Sequence, residues 1–159
     1  MEQENGQSNR YHIDDIEKLG PNDSHRIILD FLGEAGTILD VGCSTGFLGR
    51  YLKSPGRKTV GIESDATAAA QASPHYDRVI VGDMTSPQIL SQLEDGAFDA
   101  IVLGDVIEHL LDPWRAVKDI VNKLADQGIL IVSIPHLGHA SVIAALLSET
   151  FQYQDMGLL

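Results

Sequence analysis

A carboxylate stands just before a glycine-spaced turn in "TILDVGCSTGFLGRYL", the stretch from Thr37 to Leu52. Asp40 sits near the end of a short run of strand-forming residues, and Gly42, Gly46 and Gly49 follow it. A glycine-rich turn after a strand lets the backbone approach a ligand closely. A phosphate-binding P-loop would end in Gly-Lys-Ser or Gly-Lys-Thr, whereas Gly46 is followed here by Phe47 and Leu48. A dinucleotide turn would read Gly-x-Gly-x-x-Gly and place a pyrophosphate on a helix N-terminus. The spacing here is Gly42-x-x-x-Gly46-x-x-Gly49, with Ser44 where the middle glycine would stand. Asp40 would also repel the pyrophosphate such a turn exists to hold.

A ligand carrying positive charge would instead be attracted, because hydrogen bonds to an ionised carboxylate are the stronger kind. S-adenosylmethionine meets that requirement, with an ammonium, a sulfonium and no phosphate. Asp40 does not stand alone. Glu63 and Asp83 each close a later strand-like run, so three successive strands end in an acid at one edge. A single aspartate at a strand end commonly serves a turn or cap, but three in register form a ligand-facing set.

His109 is the candidate general base, since it lies just beyond a strand and imidazole titrates near neutrality. Its structural alternative is to cap or pack the "IEHLLDP" turn. His136 and His139 follow the next strand; with no third ligand evident, their "HLGH" spacing reads as surface loop rather than metal site. Cys43 reads as a small residue fitted to the tight loop, because no partner base accompanies it. Trp114, in a first helical turn, reads as packing. Tyr11 and His12 lie on a polar N-terminal arm that reads either as a lid over the ligand or as a tail.

The elements that must position these residues alternate regularly. "NDSHRIILDFLGE" reads as a helix capped at Asp23 or Ser24, with Ile27, Ile28, Phe31 and Leu32 on one face. Strands are expected at 37–41, 58–63, 78–83, 98–105 and 129–135. Short helices are expected at "FLGRYL", at 65–72, at 86–94 with Pro87 inside its start, and within 139–149. A longer helix is expected over 112–128, capped by Asp112 and ended by Gly128, with Val117, Ile120, Val121 and Leu124 as its buried stripe. Strands alternating with helices imply a doubly wound, mostly parallel α/β sheet covered on both faces. In such sheets ligands bind beyond the carboxyl ends of the strands, where strand order reverses.

The totals bound the remaining choices. At 159 residues the chain amounts to one domain, read as an arm over 1–21 and a folded unit over 22–159. A net charge of -12 without a basic cluster argues against a nucleic-acid partner. There is no transmembrane-length apolar run and no secretory signal, and the single cysteine suits a reducing compartment, so a cytoplasmic location is expected.

"ILDVGCSTG" resembles the first motif of the class I S-adenosylmethionine-dependent methyltransferases, and the later motifs follow in that family's order from about residue 22 to 150. The resemblance implies a Rossmann-like methyltransferase fold and a cofactor site built from Asp40, Gly42, Cys43, Ser44 and Gly46, continued by Glu63 and Ser64, Asp83 and Met84, and Asp105. It implies that Glu63 binds the ribose hydroxyls, Asp83 accepts from the adenine amino group, Met84 packs at the ring, and Asp105 lines the methionine half. "QGILIVSIP" (127–135) matches the fifth-strand motif, and "IEHL" is most similar to members acting on small molecules. Ser44 departs from the usual glycine, though its backbone can still approach the ligand.

The expected activity is methyl transfer from S-adenosylmethionine to a small-molecule acceptor, leaving S-adenosylhomocysteine. A non-catalytic cofactor-binding domain and a nicotinamide-dependent oxidoreductase are the alternatives. Family members continue into sixth and seventh strands. Here "ETFQYQ" would begin the sixth and nothing remains for the seventh, so the chain reads as a C-terminally incomplete fragment. Its fifth strand would then present an edge open to homo-oligomerisation.

Overall fold

A computed structural model describes residues 19–136 and 138–150. Tyr11, His12 and most of the expected arm lie outside the described residues, as do 151–154 of the expected sixth strand. Five strands, β1 (Thr37–Val41), β2 (Lys58–Glu63), β3 (Arg78–Val81), β4 (Phe98–Gly104) and β5 (Leu124–Ser133), form one sheet in the order β3-β2-β1-β4-β5. Every pairing is parallel. The chain steps outward from β1 to β3 and then returns to the other side of β1, so strand order reverses between β1 and β4. The doubly wound expectation holds.

Side chains alternate across the sheet and separate two cores. Leu39, Val41, Ile62, Ile101 and Leu103 face one layer, with α4 (Pro87–Leu90) and α5 (Pro113–Ile120) supplying Ile89, Ala116 and Ile120. Ile38, Ala100 and Val102 face the other, covered by α1 (Ser24–Leu32), α2 (Gly49–Leu52) and α3 (Ala66–Ala72) through Ile28, Leu32, Leu52 and Ala72. Helix starts follow the sequence closely, because Asp23, Asp65 and Asp112 accept hydrogen bonds from the backbone N–H groups of His25, Ala68 and Arg115. The last helix, α6 (Ala140–Leu147), follows β5.

Four expectations need correction. α5 ends at Ile120, eight residues before Gly128, and a 3-10 turn over Val121–Lys123 leads directly into β5. Lys123 is buried there, donating to the Leu93 carbonyl (3.0 Å) and to Asp95 (2.5 Å), while Leu124 pairs with Phe98. Strand pairing and the lysine anchor thus overrule local helix propensity. Gly128 instead belongs to an irregularity in β5, where an added Cβ would meet the Phe98 carbonyl oxygen at 2.8 Å. On α1 only Ile28 and Leu32 are buried; Phe31 is 65% exposed and Ile27 is exposed too. The segment over 86–94 forms a single helical turn, Pro87–Leu90. Trp114, expected to pack, is 85% exposed.

Candidate active site

The carboxyl ends of β1 to β4 enclose a cleft of about 430 Å³ at the point of strand reversal. Its walls include Gly42, Glu63, Ser64, Asp83, Met84, Asp105 and His109. Seven of the eleven residues assigned from sequence to the cofactor site or the base role therefore share one surface, although they come from four separate strand ends. Among the described residues three carboxylates line the cleft, and no lysine or arginine does.

Each wall residue is held by local chemistry. Gly42 adopts φ +73, and a Cβ there would meet Val106 Cγ2 at 2.5 Å, so only glycine lets β1 turn so close to the segment after β4. Glu63 braces the turn: its Oε2 accepts from the Ser44 N–H (2.9 Å) and its Oε1 from the Asp65 N–H (2.9 Å). Asp83 accepts from the Thr85 N–H (2.7 Å) and hydroxyl (2.8 Å), and those bonds lower its pKa below the ordinary carboxylate value. Asp105 has φ +53, a conformation that costs roughly 1–2 kcal/mol in a residue with a side chain. Ser133 on β5 holds it there. Its carbonyl accepts from the Asp105 N–H at 3.1 Å, and its hydroxyl donates to Asp105 Oδ1 at 2.9 Å. His109 ends a 3-10 turn over Ile107–His109 with its side chain exposed at the cleft.

The other four residues lie behind the wall. Gly46 packs the turn against α3, where an added Cβ would come within 2.8 Å of Ala72 Cα. Ser44 contributes its backbone N–H to Glu63. Cys43 is buried over Gly61, and burial beside Asp40 and Glu63 pushes its thiol pKa far up, which leaves it inert as a nucleophile. Asp40 shares the sheet face of Ile38; it is 4% exposed and accepts a hydrogen bond from the Tyr76 hydroxyl. Burial raises its pKa from 3.8 to about 7, the Tyr76 hydrogen bond partly offsets that rise, and the nearby Glu63 adds to it. Among the described residues no group of histidines, cysteines and acids could hold a metal ion, and His136 and His139 sit on the exposed segment after β5.

Sequence reasoning missed Tyr76, Val106 and Ser133. None carries a spacing signal, because each acts through a contact with a distant strand end.

A family model described as a methyltransferase domain matches residues 39–132, more than half of the chain and the carboxyl ends of all the cleft-forming strands. The chain belongs to the S-adenosylmethionine-dependent methyltransferases. Over 115 residues it is 30% identical to a Mycobacterium tuberculosis protein named a probable S-adenosylmethionine-dependent methyltransferase, covering 70% of this chain and 41% of that one. It is 28% identical over 105 residues to a ubiquinone biosynthesis O-methyltransferase of Glaesserella parasuis, covering 60% of this chain and 44% of that one. The methyltransferase chain thus spans less than half the length of these relatives. Among solved structures, a methyltransferase of Archaeoglobus fulgidus superposes with a TM-score of 0.64 at 17% identity, over 81% of this chain and 58% of that one. A Thermotoga maritima methyltransferase superposes with a TM-score of 0.62 at 25% identity, over 78% of this chain and 56% of that one. The fold is therefore the Rossmann-like methyltransferase fold, and the cofactor of the family is S-adenosylmethionine.

Proposed function

We propose that this chain holds S-adenosylmethionine in the acid-lined cleft and transfers its methyl group to a small neutral or cationic acceptor. The observation that carries this reading is a cleft walled by Glu63, Asp83 and Asp105 with no lysine or arginine among the described residues, which favours a cationic nucleoside over a phosphorylated one. Glu63 would take the ribose hydroxyls, Asp83 and Met84 the adenine, and Asp105 with Gly42 the methionine half. The cofactor supplies a methyl group on a good leaving group, a neutral thioether. The protein's work is then alignment, with a base where the acceptor must lose a proton.

His109 fits the base role because, among the described residues, it is the only basic side chain on the cleft wall. The name of the Glaesserella parasuis relative favours an acceptor of small-molecule type. Calorimetric titration with S-adenosylhomocysteine and a methyl-transfer assay over small hydroxyl- and amine-bearing acceptors test the proposal together. Glu63→Gln is expected to weaken cofactor binding about ten- to a hundredfold. His109→Ala is expected to leave binding intact while lowering turnover about 10²–10⁴-fold. Binding without turnover on any acceptor would instead favour the non-catalytic reading, and no binding would overturn the proposal.

A further inference from the structure

The buried Asp40–Tyr76 pair lies behind the cleft wall, and Tyr76 has no part in the roles assigned so far. Asp40 stands two residues before Gly42 and close enough to the cleft-lining Glu63 for their charges to interact, yet it does not itself line the cleft. Tyr76 is also buried, and its ring fills space that two glycines leave open. A Cβ on Gly49 would come within 2.5 Å of the ring, and one on Gly61 within 3.5 Å of it. The ring is seated against these two glycines, and its hydroxyl donates to Asp40.

The groups around the carboxylate are few. Glu63 on β2 and Cys43 in the turn are the other titratable neighbours, and β4 contributes only aliphatic Val102 opposite Asp40. His75, beside Tyr76 in sequence, has its pKa lowered by burial and by Arg50 and Lys53. Asp40 makes no ion pair among the described residues. Its charge is thus supported by one hydroxyl and opposed by burial and by a second acid.

We propose that Tyr76 is a positioning residue for the cofactor: its hydroxyl holds the Asp40 carboxylate just before the glycine turn, and Asp40 ionises as the cationic cofactor binds, coupling that binding to release of a proton. The inference rests on the cleft being the S-adenosylmethionine site. A carboxylate that is only partly ionised in the free protein gains its full charge when a cation arrives near it, so the cofactor's affinity must rise with pH through the carboxylate's own titration. The value of about 7 for Asp40 places that titration at neutrality. Removing the Tyr76 hydroxyl removes a contact that favours the ionised form, so the midpoint must move upward.

The test is calorimetric titration of the wild-type chain, Tyr76→Phe and Asp40→Asn with S-adenosylmethionine across neutral pH, in two buffers of different ionisation enthalpy, with folding of each variant checked by circular dichroism. For the wild type, affinity should rise about tenfold through neutrality, and the heat should show proton release. In Tyr76→Phe the midpoint should shift upward by about one unit, with the high-pH affinity retained. In Asp40→Asn the pH dependence and its share of the proton release should vanish, leaving the wild type's low-pH affinity. An unmoved midpoint in folded Tyr76→Phe overturns the proposal. Should Tyr76→Phe not fold, the proposal stands or falls on whether proton release is present in the wild type and lost in Asp40→Asn. No binding by the wild type at any pH defeats the functional reading instead, a different result from binding that ignores pH.

Discussion

Asp40 shows how a residue's type can be read from sequence while its direction cannot. An acid before a glycine turn was expected to meet the ligand's positive charge, and the acid does lie at that turn. Strand alternation, however, turns its side chain toward Ile38 and the α1–α3 layer, where Tyr76, 36 residues away, receives it. The pKa has a consequence for stability as well. The folded state holds a proton on Asp40 up to about pH 7, whereas an unfolded aspartate gives it up near 3.8. Between those values the folded state binds more protons, so this contribution is greatest at low pH and falls as pH rises to about 7. Urea unfolding of wild type against Asp40→Asn should isolate it. From pH 5 to pH 8 the wild type should lose about 2 kcal/mol relative to the variant. An equal pH response in the two proteins would show that Asp40 is ionised in the free state.

At the scale of elements, β1 to β4 were legible, whereas the end of α5 and the start of β5, at Leu124 rather than Ile129, were not. β2 runs from Lys58 to Glu63 and β1 from Thr37 to Val41 as expected, because a strand covered on both faces lacks the in/out polar alternation of a half-exposed one. The aspartate caps were equally readable. The end of α5 was not, since Lys123 and Leu124 obey partners on the segments around Asp95 and Phe98 rather than their own helical stripe. The glycine turn obeys both kinds of rule. Gly46 needs φ +84 and also lies against the backbone of α3, at Ala72. Gly46→Ala should therefore cost about 2–4 kcal/mol in chemical unfolding, from a left-handed backbone plus overpacking against atoms that cannot swing aside. A loss below about 0.5 kcal/mol would mean that the turn adjusts freely and does not hold the cleft floor in place.

Across the whole molecule, the acidity read from composition and the acids read from strand ends describe one feature at two sizes. The chain carries a net charge of -12, and its cleft is walled by carboxylates. What composition could not supply is the outer surface. β5 pairs only with β4 among the described residues, Ile129 and Val132 are about 40% exposed along it, and Ile143, Leu146 and Leu147 are exposed on α6. An apolar edge strand invites pairing with another chain. Sedimentation velocity should show this 159-residue chain associating as its concentration rises, and Val132→Lys should suppress that. A wild-type chain that remains monomeric across the same range would show that the edge is protected in solution.

The central claim is that an acid-walled cleft selects a cationic nucleoside over a phosphorylated one. Calorimetric titration of the same protein with S-adenosylmethionine and, separately, with NADH tests it most directly. The account predicts saturable binding of S-adenosylmethionine that weakens in Glu63→Gln, with no heat of binding for NADH. Saturable binding of NADH, or S-adenosylmethionine binding indifferent to Glu63→Gln, would contradict it.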